Sequence, residues 1–103
     1  MTDTENRLLL IEILARDLMK KHHVDYLDFK FSNDKKKLGY CTTEYISIQT
    51  NHALYDDINE IQNTILHEIA HALAGLENNH NIFWKEIAKK IGVKIESKQN
   101  QTE

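Results

Sequence analysis

The feature that most constrains this chain is His67-Glu68-Ile69-Ala70-His71, set inside the apolar run from Ile58 to Leu76 and followed by a further histidine, His80. Residues four apart on an α-helix lie one turn apart on the same face, so the imidazoles of His67 and His71 reach a single ion. Glu68 is offset from them by about 100°. That offset places it poorly to complete a tetrahedron and well to touch a water activated by the ion. The pattern reads as a zinc hydrolase site: two ligands from one helical turn, a third from elsewhere, an open position and a carboxylate base. The competing reading is two surface histidines that bind nothing, in a chain with six histidines.

The surroundings of the motif argue against that competitor. Ile58, Ile61, Ile65, Ile69, Leu73 and Leu76 fall within roughly 60° of one direction on a helical wheel, with His67 and His71 nearly opposite. Beside the histidines sit Thr64, Ala70, Ala74 and Gly75, small residues that admit close approach of other backbone. Surface histidines are more often flanked by long charged side chains. The pattern predicts a helix covered on both sides, ending near Leu76 because Gly75 and Glu77-Asn78-Asn79 are helix-stop and turn chemistry.

A final helix is predicted over about residues 81–91, stopped by Gly92. Phe83, Trp84, Ile87 and Ile91 share a face, and extending the wheel back one turn puts His80 on it. Docking that face therefore swings His80 inward. A spacing H-E-x-x-H-x-x-G-x-x-H needs glycine at 74 and histidine at 77, where the chain has Ala74 and Glu77. Glu86 lies more than about 90° from the centre of the apolar face, beside Lys89 and Lys90. His80 is thus favoured over Glu77 and Glu86 as third ligand. Cys41 is a further thiolate candidate, more simply read as a small buried hydrophobe at a strand end. His22 and His23 read as residues that suit a helix C-terminus.

The earlier chain supplies the rest of an α+β fold. Thr2-Asp3-Thr4-Glu5 resembles a capping box, and Leu8, Ile11, Ala15, Leu18, Met19 and His22 recur at helical spacing, which predicts a helix over about residues 4–22. From Tyr26 the period becomes two, with Leu27, Phe29 and Phe31 alternating with Asp28, Lys30 and Ser32. A second strand over about residues 36–41 and a reversal at Thr42-Thr43-Glu44 lead into a third over about residues 45–50. These predict a small antiparallel three-stranded meander, then a polar connection over residues 51–57 that contains His52, then the zincin-type helix and the C-terminal helix. One domain is expected over residues 1–96, with residues 97–103 a disordered polar tail. Val93 and Ile95 are expected to form a short strand or to pack under the helices.

Composition narrows the function class. With 103 residues, 41% apolar and 28% charged, the chain suits a single soluble domain. The net charge of −3 and the shortness of Lys35-Lys36-Lys37 do not argue for nucleic-acid binding. A single cysteine excludes an intramolecular disulfide and a Cys₄ zinc ribbon. Apolar residues near the start are interrupted by Arg7, Glu12, Arg16 and Asp17, so neither signal peptide nor membrane span is read and a cytoplasmic location is expected.

The segment from Thr64 to Leu73, with His80-Asn81 and Phe83-Trp84, resembles the SprT-like (Spartan-type) zinc metallopeptidase domain. Leu38-Gly39-Tyr40-Cys41 and Tyr45-Ile46-Ser47-Ile48 resemble that family's glycine-bearing strand pair leading into the metal helix. The resemblance covers about residues 36–92, in a minimal form without a C-terminal zinc ribbon. It implies one Zn²⁺ held by His67, His71 and His80, Glu68 as general base, and hydrolysis of a protein or peptide substrate. Spartan-type members act on proteins crosslinked to DNA, so the resemblance also implies a DNA-associated substrate, a partner for which the charge does not argue. Tyr45, Tyr55 and His52 are candidates for stabilising the oxyanion. Two other functions are compatible with the motif: a zinc-stabilised binding or regulatory module without catalysis, and a repressor-cleaving protease of the ImmA/IrrE type, which carries the same five-residue motif.

Overall fold

Thr2 starts the first helix as its sequence suggests. Its hydroxyl accepts from the Glu5 backbone N–H at 3.1 Å, and the Glu5 carboxylate accepts from the Thr2 backbone N–H at 3.3 Å, closing a capping box. In a computed structural model of the chain, which describes residues 2–94, the order is α1 (Asp3–Lys21), β1 (Asp28–Ser32), β2 (Gly39–Cys41), β3 (Tyr45–Gln49), α2 (Thr50–Tyr55), α3 (Ile58–Ala74) and α4 (Ile82–Ile91). This is the expected α+β architecture. The predicted tail at residues 97–103 and Ile95 lie outside the described residues.

The sheet corrects one expectation. Successive strands reverse direction, but β3 inserts between the other two, giving the order β1-β3-β2. β1 therefore runs parallel to β3, with Phe29 opposite Ile46, and β2 runs antiparallel to it, with Gly39 opposite Ile48. Burial explains the order. Ile46, Ser47 and Ile48 are all buried, so β3 takes the centre. The chain after β1 does not turn tightly back: the Asp34 carboxylate accepts from Lys36 N, and the Gln49 side chain donates to Asp34 O at 2.8 Å. This connection crosses the end of β3 and delivers the short β2 to the far side.

A second correction lies between the sheet and α3. Residues 50–55, expected as connection, form the one-and-a-half-turn α2, whose His52 and Ala53 are buried. Polar side chains masked it, because Asn51 and Asp56 face outward while His52 turns in. Arg7 of α1 holds its end, donating to Ala53 O and Asp56 O, both at 2.9 Å.

α3 is the centre of the molecule, packed by α4, β2, β3 and α1. Ile61, Ile65 and Ile69 are fully buried toward α1 and the sheet core, while Thr64, His67, Glu68 and His71 are buried on its other sides. Asp57 caps its start by accepting from Asn59 N at 2.8 Å. It ends at Ala74, slightly before the expected Leu76, where Gly75 takes a φ of 90°. Ile58, Leu73 and Leu76, at the ends of the predicted stripe, reach solvent.

α4 is capped by Asn81 and stopped by Gly92 at φ 98°. Its inward face is Trp84 and Ala88, with Ile87 and Ile91 half-buried against the core. Phe83, expected on that face, is instead 53% exposed. Val93 packs into the core, and Asn63 of α3 clasps Lys94, accepting from its N–H at 2.7 Å and donating to its C=O at 3.2 Å. No helix among the described residues is long and apolar enough to cross a membrane.

Candidate metal centre

One turn of α3 presents His67 and His71, with exposures of 5% and 4%, toward the segment that precedes α4. That segment brings His80 against them. His80 Nε2 lies 3.0 Å from His67 Nε2 and 3.1 Å from His71 Nε2. The three residues offer ligand atoms that all lie within 4.8 Å of one another. The route differs from the helical one expected, since His80 stands outside α4 with φ 57°, in the left-handed region. A residue in that conformation reverses the chain locally, and here the reversal directs the ring inward.

The trio suits a cation better than a hydrogen-bonded cluster. His80 Nε2 carries either one proton or one lone pair, so it satisfies only one of two nitrogens at hydrogen-bond distance. Three lone pairs aimed at one point suit a metal ion. Ligand bonds of about 2.0–2.1 Å in a tetrahedron hold nitrogens about 3.3–3.4 Å apart, close to the separations seen. Burial, then the neighbouring histidines, pushes the His67 pKa down to about 3; burial, then His80, pushes that of His71 down to about 4. Both rings are thus neutral near pH 7, the form that ligates. The residues present therefore fit Zn²⁺.

Trp84 forms the floor of this cluster. Its ring centroid lies 4.7 Å from those of His67 and His80 and 5.2 Å from that of His71. The sequence places Trp84 on the inward face of the last helix and in the aromatic pair of the family resemblance, not at the histidines, although its spacing one turn after His80 was the available signal. Trp84 Nε1 is buried with no hydrogen-bond partner among the described residues.

Glu68 is fully buried, on the side of α3 that faces β2. A Cβ placed on Gly39 of β2 would stand 2.9 Å from Glu68 Oε2, so the strand passes directly over the carboxylate. Cys41 lies near enough for the Glu68 charge to matter: burial first, then that charge, pushes its thiol up to about 12. It is a neutral thiol whose Sγ contacts Thr42 O at 3.6 Å, and it is not among the clustered ligand atoms. His22, Glu77 and Glu86 also stand outside the cluster, the two carboxylates on the surface.

The three oxyanion candidates have surroundings of their own. Tyr55 is 77% exposed on α2, and Tyr45 lies under Lys30, whose Nζ is 3.7 Å from the ring centroid. His52 is buried, with Nε2 2.9 Å from Thr64 Oγ1 and Nδ1 2.5 Å from Asp56 Oδ2. A cavity of about 200 Å³ does open beside His71, lined by Lys37, Tyr40, Cys41, Leu76 and Asn79. Tyr40, not singled out as a site residue from sequence, is the tyrosine that borders it.

Comparison with known proteins agrees with this arrangement. The model of the SprT-like family matches residues 10–103. A search of curated proteins and a search of solved structures each returned no match.

Proposed function

The chain belongs to the SprT-like family, whose members are associated with a zincin-like metallopeptidase fold, and from that premise we propose that it is a zinc-dependent peptidase. The observation that carries this reading is the convergence of three imidazole Nε2 atoms, at 3.0 and 3.1 Å, on a helix whose next residue after the first ligand is Glu68.

In this reading His67, His71 and His80 would hold the metal through Nε2, and Zn²⁺ there would supply Lewis acidity toward water and a peptide carbonyl. Glu68 takes the proton as the water oxygen adds to the carbonyl carbon, then hands it to the amide nitrogen as the C–N bond breaks. Trp84 holds the three rings in register from beneath. Leu76, Asn79, Tyr40 and Lys37 border the approach beside His71. β2 is an edge strand of the sheet, and an extended peptide laid along it gains main-chain hydrogen bonds next to the site.

The substrate is a protein or peptide. Resemblance to Spartan-type members favours a DNA-associated one, whereas the net charge of −3 supplies no attraction to DNA of its own. A second reading, a zinc-stabilised module without turnover, draws on one observation: the trio ties the segment before α4 to α3, so the metal would fasten the two helices. Hydrolysis of an unfolded protein, abolished by chelation and restored by Zn²⁺, tests the peptidase reading. Zinc-dependent stability without hydrolysis of any substrate, with and without DNA, would select the module.

A further inference from the structure

Gly39 has no conformational need to be glycine, since the positive-φ glycines of the described chain are Gly75 and Gly92. Its role lies in the missing Cβ. An added Cβ would stand 2.8 Å from Thr64 Cγ2 and 2.9 Å from Glu68 Oε2, closer than packed atoms tolerate, and 3.1 Å from Glu68 Cγ, tighter than most such contacts. We propose that Gly39 is a positioning residue for Glu68: bare strand backbone on one side and Thr64 on the other form the slot that holds this carboxylate beside the histidine cluster. The proposal rests on the role given to Glu68 above.

The surroundings show which part would give way. Thr64 is pinned, because its Oγ1 donates to Glu60 O at 3.0 Å and lies 2.9 Å from His52 Nε2. With the one hydroxyl proton spent on Glu60, the imidazole is the donor in the second contact. His52 is itself buried and held by Asp56. The strand is held too: Gly39 and Cys41 pair with Ile48 and Ile46, and Gln49 N donates to Leu38 O at 2.8 Å. A methyl at position 39 would meet Thr64 Cγ2 on one side and Glu68 Oε2 and Cγ on the other, and the Glu68 side chain, with more rotatable bonds than Thr64, is the one that can turn away. The methyl therefore displaces the carboxylate, and removing Thr64 Cγ2 as well gives it room on the other side.

The test uses Co²⁺-substituted parent, Gly39→Ala, Glu68→Gln and the double variant Gly39→Ala/Thr64→Ser, which keeps the hydroxyl for His52 and removes Cγ2. All four are expected to take up Co²⁺ with equal stoichiometry. The visible d–d absorption of Gly39→Ala should move from the parent's toward that of Glu68→Gln, and Thr64→Ser should return part of the shift. In turnover, kcat of Gly39→Ala should fall about 100-fold with KM little changed. The spectra need no substrate, so a parent without peptidase activity counts against the peptidase reading and leaves this inference to the spectra. If Gly39→Ala does not fold, the same substitution in a Glu68→Ala background decides: Gly39→Ala/Glu68→Ala should fold. Parent-like spectra in Gly39→Ala, or failure to fold in both backgrounds, would overturn the proposal.

Discussion

His67 Nε2 and His80 Nε2 lie 3.0 Å apart across a separation of 13 residues, so the site is completed only when the segment before α4 folds back on α3. If this pair shares an ion, His80→Ala should weaken zinc binding by more than about 100-fold, beyond the range typical of lost supporting contacts. Competition with a chromophoric chelator measures it. Unchanged tight binding would remove His80 from the site.

Acid should destabilise the metal-free protein in a defined window. The folded pKa values of His67 and His71, about 3 and about 4, lie below the ordinary 6.5, so the unfolded chain takes up protons first as pH falls. Stability from their neutral forms is complete above about pH 6.5 and is lost progressively below it. The Tm of the chelated parent should drop between pH 7 and pH 4.5 more steeply than that of His67→Asn/His71→Asn. His22, whose pKa burial also lowers, adds a component common to both proteins. Parallel profiles would contradict the assignment.

Cys41 should be chemically quiet. With its thiol pushed up to about 12 by burial and by the Glu68 charge, little thiolate exists at pH 8. Iodoacetamide should modify native protein far more slowly than unfolded protein, and Cys41→Ala should keep its full zinc content. Loss of zinc from Cys41→Ala would make the thiol a ligand after all.

Trp84 combines a large buried surface with an N–H that no described residue accepts. Trp84→Ala should cost about 3–5 kcal/mol. Trp84→Phe should cost much less, because deleting the buried donor recovers part of a penalty of about 1–3 kcal/mol. Urea unfolding of the two variants checks the difference, and equal losses would contradict the prediction.

The α3 helix, its start and its two buried sides were legible in the sequence, because apolar residues at helical period and small residues around His67 and His71 report local geometry directly. The inward turn of His80 was legible too, although through the wrong conformation, since a wheel carries no information about a left-handed residue outside the helix. Strand order was not legible: alternation in residues 27–31 and 45–49 marks strands but says nothing about which neighbour each will choose. Residues 50–55 were hidden because six residues are too few to show a period, and His52 reads as polar although it is buried. The slot over Glu68 joins residues 39, 64 and 68. In sequence it left only a glycine inside a strand, a mark of close backbone approach.

The central claim is that three histidines hold a zinc ion beside a carboxylate that does chemistry. It is tested most directly by measuring zinc content and peptide-bond hydrolysis on the same preparations of parent and Glu68→Gln. The account predicts one zinc per chain in both proteins, and hydrolysis by the parent that falls by about 100- to 10,000-fold in the variant, the usual contribution of a general base. Glu68→Gln that hydrolyses peptide at the parent's rate with zinc bound would contradict it.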